Sequence, residues 1–167
     1  MRTIGINGGH TTYDLGTPSD VVLFFDCINA FVSGKYPGKE WGILTDRLYR
    51  RYLRFDDLER CSELMELVKT EFNDISASSI KWDKSTLDGD GKTFLAFRSS
   101  NLSDVFRRYF EAFSKAKESA KSFYDEFNIY QPVRILVSDL PNLVIEKMRP
   151  LEDYDSLEQD ATPFWLQ

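Results

Sequence analysis

The chain has 167 residues, 42% of them hydrophobic and 14% aromatic, enough for one domain whose core needs neither a disulfide nor a metal. Its 27 acidic and 21 basic residues leave a formal charge of -6, which argues mildly against general nucleic-acid affinity and allows attraction to a basic protein. Cys27 and Cys61 lie far apart without any CxxC or Cys/His spacing and read as small core residues of a reduced, cytosolic protein. The first ten residues lack an apolar leader, and no run approaches the roughly 18 apolar residues of a membrane span, so a soluble protein is expected.

In chain order, Arg2 to Asn7 and His10 to Asp14 are predicted strands joined at the turn-prone pair Gly8-Gly9. A helix follows with a sharply specified start. Thr17 is placed as N-cap, Pro18 at the first helical position has no donor to lose, and Asp20 can bond back to the cap. Val21, Phe24, Phe25, Ile28, Phe31 and Val32 then recur at helical spacing, and Gly34 stops the run. After the loop Lys35 to Lys39, Gly42 to Leu53 reads as a second helix burying Leu44, Leu48, Tyr49, Tyr52 and Leu53. A third begins near Asp56 as cap, with Glu59 three residues on, and buries Leu58, Cys61, Leu64, Met65, Val68 and Phe72.

Between Ser76 and Ser100, Ile80 to Trp82 and Thr93 to Phe97 are strand candidates around a turn-rich loop, 87–92. Asn101 or Ser103 caps a long helix with Val105, Phe106, Tyr109, Phe110, Phe113, Ala116 and Phe123 on its inner face. Val133 to Ser138 and Leu143 to Lys147 complete the pattern as strands around Leu140-Pro141-Asn142. The expected fold is α+β: a single domain over 1–167, about four helices packed on a small, mainly antiparallel sheet, with an acidic C-terminal tail over 150–167.

Few residues are spaced for catalysis. Gly91-Lys92-Thr93 resembles the end of a phosphate-binding loop, but Thr86 stands where the first glycine is needed and a strand, not a helix, follows. Asp88-Gly-Asp-Gly opens like a calcium loop, yet Lys92, Thr93 and Ser99 occupy the next ligand, turn and closing positions, so a solvated hairpin fits better. His10 is the only histidine. Paired with Cys27 it makes a formal dyad, but a thiol within an apolar helix is ordinarily inert. Neither an enzyme, a cofactor nor a metal site is expected.

Two charged features remain. Arg47, Arg50, Arg51 and Arg54 fall on one helical face and could meet phosphates or an acidic partner, although Asp46, Asp56, Asp57 and Glu59 flank them and such stripes are ordinarily solvated. After Arg149 the tail carries Glu152, Asp153, Asp155, Glu158 and Asp160 with no further base, interleaved with Tyr154 and closed by Pro163-Phe164-Trp165. Asp88, Asp90 and these tail acids are the candidate electrostatic contacts for a basic partner, with Tyr154 or Trp165 as a candidate anchor. The tail composition equally fits a solvated or partly disordered end.

The run Thr12-Tyr13-Asp14-Leu15-Gly16-Thr17-Pro18, the Phe24-Phe25 helix, Trp41-Gly42, Leu48-Tyr49, Leu53, the helix Leu58 to Leu67 and Ile80-Lys81-Trp82-Asp83 together resemble the immunity protein 70 family. The similarity runs over about residues 10 to 126 and lies in the order and spacing of these motifs. It implies a bacterial cytosolic protein that neutralises the C-terminal domain of a polymorphic toxin, including toxins of contact-dependent growth inhibition systems, which are often nucleases with cationic grooves. A nucleic-acid-binding regulator using the four arginines is the alternative. Gly16, Thr17, Trp41 and Trp82 are expected to serve the fold more than the interface.

Overall fold

The computed structural model describes residues 2–80, 101–139 and 149–167. The strand candidates at 80–82, 93–97 and 143–147, the phosphate-loop and calcium-loop resemblances, and Asp88 and Asp90 all lie wholly or largely outside the described residues.

The N-terminal hairpin forms as its pattern requires, with β1 over Ile4–Gly8 and β2 over Thr11–Gly16. Among the described residues, β1 is the centre of a three-stranded antiparallel sheet of order β2-β1-β3, where β3 is Arg134–Val137. The pairs Ile4–Val137 and Ile6–Ile135 put four aliphatic side chains on one face. That face is the core side, and all four are buried. Leu53 extends the sheet beside β3 through a single bridge to Val133.

Helix α1, Pro18–Phe31, starts on the capping box expected of Thr17 and Asp20: each side chain accepts from the other's backbone N–H, at 3.3 and 2.9 Å. Helix α2 spans Leu58–Asn73 and buries the six predicted residues. Its start differs by one residue from the predicted cap. Asp57 rather than Asp56 accepts from Arg54 N–H and is buried, joined to Arg60 at 2.9 Å and Arg47 at 3.6 Å.

The expected long helix is broken in two, α3 over Leu102–Val105 and α4 over Arg107–Phe127, with Asn101 as the cap. At the break Phe106 leaves helical geometry and is fully buried, its ring 5.2 Å from Phe24 and 5.9 Å from Phe72. Aromatic packing there overrides the local periodicity. Helix α4 lies flush across the hairpin. A Cβ on Gly8 would stand 1.9 Å from the Ala116 carbonyl oxygen, so only glycine lets strand and helix backbones meet.

The segment read as a helix over 42–53 is a π-helix, Ile43–Leu48, carried to residue 50 by helical backbone and ending before the Leu53 bridge. The wider turn invalidates the 100° spacing on which a single arginine face depended. The tail is also ordered. Helix α5, Leu151–Asp155, and a 3₁₀ turn, Phe164–Leu166, pack on the body.

Candidate functional site

The acidic segment is held by the arginines that had suggested nucleic acid. Arg51 donates to the carbonyls of Tyr154, Leu157 and Glu158 and to Asp46; Tyr154 O and Glu158 O also accept from the backbone N–H of Leu157 and Ala161, so the guanidinium adds a second donor to each. Arg50 donates to Ala161 O at 2.9 Å and Thr45 O at 3.1 Å. Arg47 pairs with buried Asp57. Arg54 is off the helix, where its backbone N–H bonds Asp57. The four therefore form no shared phosphate-binding face; two of them clamp the tail.

The aromatic residues of the tail complete the mount. Trp165 and Tyr154 are each 2% exposed. The Trp165 indole donates to Tyr49 O at 2.9 Å and its ring meets Tyr49 at 5.5 Å. Tyr154 lies between Tyr52, Phe164 and the Arg134 guanidinium, at 6.0, 5.1 and 5.4 Å. Both were candidate anchors for a partner; both are instead anchors of the tail to its own body, because burying a large ring against neighbouring aromatics outweighs leaving it in water.

What remains outward is charge. Glu152, Asp153, Asp155, Glu158 and Asp160 are all exposed. Asp155 accepts from the Tyr52 hydroxyl at 3.0 Å, and Asp153 lies 3.6 Å from Arg149. Glu152, Glu158 and Asp160 make no ion pair among the described residues. The result is an acidic ridge on a backbone fixed from beneath, suited chemically to attract and orient a basic surface.

Nothing comparable assembles around the nucleophiles. Burial pushes the Cys27 thiol up to about 12, with Asp26 adding to it, and raises Cys61 as well. His10 is exposed against Phe123 at 4.3 Å and Phe127 at 6.3 Å, on the far end of α4. A cleft of about 430 Å³ lined by Tyr36, Ile43, Leu64 and Leu67 has Arg60 and Glu40 paired at 2.8 Å among its lining residues. Among the described residues no cluster of three His, Cys, Asp or Glu side chains could hold a metal, and no helix is long and apolar enough to cross a membrane.

An exposed apolar group escaped the sequence reading. Phe55, Tyr124, Phe127 and Ile129 are 40%, 37%, 50% and 55% exposed, and Phe55 packs on Tyr124 at 4.9 Å. The available signal was length: the apolar stripe of α4 continues one turn past Phe123. Compared with family models, curated proteins and solved structures, the chain matches none of them.

Proposed function

We propose that this chain is an immunity protein, a non-catalytic cytosolic inhibitor that binds the C-terminal domain of one bacterial toxin in equal stoichiometry and blocks its active site or substrate surface. The observation that carries this reading is the acidic ridge clamped by Arg50 and Arg51. A fixed array of like charges loses little conformational freedom on binding and raises the rate of encounter with a cationic surface. The ordered motifs of residues 10 to 126 that resemble the immunity protein 70 family support the same class and suggest a nuclease toxin of a contact-dependent growth inhibition system. The alternative, a nucleic-acid-binding regulator, needs four available arginines, and Arg50 and Arg51 are committed to backbone carbonyls.

The test is to mix the purified chain with the product of the neighbouring upstream toxin gene and measure mass in solution. A one-to-one complex at or below micromolar concentration, with loss of toxin activity, is expected. No complex at micromolar concentration overturns the reading.

A further inference from the structure

Helix α4 is longer than the surface it packs on. The tip of the hairpin meets it at Ser119 and Phe123, where a Cβ on Gly9 would lie 2.7 Å from the Ser119 carbonyl oxygen and 3.1 Å from Phe123 Cβ. The helix then runs four more residues to Phe127, about 6 Å of axis. At about 100° per residue, Phe127 falls between Phe123 and Tyr124, on the side that the buried Ala116 and Ala120 occupy further back. The core-facing stripe thus continues beyond the core. Asn128, with φ 55°, ends the helix in left-handed geometry and turns Ile129 outward, 55% exposed. From the other side Phe55 joins it, touching Tyr124 and, at 5.5 Å, Tyr130.

Around this patch acids outnumber bases. Asp56, Asp125 and Glu126 are exposed and make no ion pair among the described residues. Of the nearby bases, Lys121 pairs with Glu59, while Arg54, next to Phe55 in the chain, is exposed, acts on the Tyr52 hydroxyl and makes no ion pair among the described residues. Tyr52, which also holds Asp155 of the acidic ridge, is three residues from Phe55, so the two backbone positions are at most about 10 Å apart. We infer that Phe127, Tyr124, Ile129 and Phe55 form the desolvated centre of the interface with a basic protein, with Asp56, Asp125 and Glu126 as its charged rim. This rests on the immunity reading, and the occupant is the basic toxin domain. An anionic membrane would be repelled by the rim, and a second copy would set acid against acid.

Exposed aromatic anchors act on dissociation and rim charges on association. The test measures both rates for the full-length chain and the toxin domain, with each variant's thermal midpoint as a folding control. Phe127→Ser is expected to dissociate at least about 30-fold faster with little change in association. Ile129→Lys, outside the helix, gives the same loss by placing a positive charge against a basic partner, and serves if Phe127→Ser unfolds. D56N/D125N/E126Q slows association several-fold at low salt. If the parent binds and both Phe127→Ser and Ile129→Lys dissociate at the parental rate, the patch is not the interface, and the immunity reading stands. If the parent forms no complex, both fall. If the parent is a dimer that Phe127→Ser makes monomeric, the patch joins copies of this chain and the inference is overturned.

Discussion

Arg51 shows how one side chain can decide the reading of a whole surface. Its planar fork reaches three carbonyls and a carboxylate that no single ammonium could span. Replacing it removes the charged donor to Leu157 O and one of the two donors to each of Tyr154 O and Glu158 O, and with them the ion pair to Asp46. Arg51→Ala is therefore expected to lower stability by about 2 to 3 kcal/mol in urea unfolding, with Arg51→Lys recovering less than half. A loss below about 0.5 kcal/mol, typical of a solvated surface arginine, would show that the clamp does not hold the tail.

Between elements, α2 and α4 are tied at the surface by Glu59, which meets Lys117 at 3.1 Å and also Lys121. The hydrogen bond from Lys121, then the hydrogen bond and charge of Lys117, hold the Glu59 carboxyl below its ordinary value of 4.5. The sign follows from linkage: a folded value below the unfolded one adds stability that is complete above the unfolded value and lost as pH falls through the folded one. Glu59→Gln should thus be less stable than the parent at pH 7, by the small amount an exposed pair carries, with the difference shrinking as pH falls below 4.5 and through the folded value. Thermal midpoints across pH 3 to 7 read this directly, and a difference that persists unchanged at pH 3 would assign the effect to packing. The same scale explains the broken helix. Asn101 was readable as a cap, whereas the interruption at Phe106 depends on rings from α1 and α2.

Across the whole molecule, the tail is both structure and surface. Deleting residues 151–167 would strip Tyr154 and Trp165 from the interior, so truncation tests folding rather than recognition. Neutralising Glu152, Asp153, Asp155, Glu158 and Asp160 together, as Gln or Asn, keeps the mount. Stopped-flow mixing with the toxin domain should then show association slowed about tenfold at low salt and a flatter salt dependence, with dissociation little changed. Unchanged association at low salt would remove the ridge from the encounter surface. The two charge sets on the molecule act differently for a physical reason: Arg50 and Arg51 face carbonyls of their own chain, and the tail acids are exposed to water.

Short-range chemistry made much of the fold legible. The Thr17–Asp20 capping box, the glycine turn of the hairpin and the apolar stripes of α1, α2 and α4 involve neighbours within a few residues, and each appears where its pattern puts it. The acids of the tail were equally readable as exposed charge, because an unpaired carboxylate stays in water. The roles of Arg51, Tyr154 and Trp165 were not readable. Arg51 meets the Tyr154 carbonyl from 103 residues away and Trp165 meets the Tyr49 carbonyl from 116, and composition cannot say whether an arginine meets solvent, phosphate or a carbonyl brought back by the fold. The exposed patch at Phe127 arises in the same way: a helix stripe is local, but where the core beneath it ends is set by the length of the hairpin and the position of Phe55, which only the packed chain brings together.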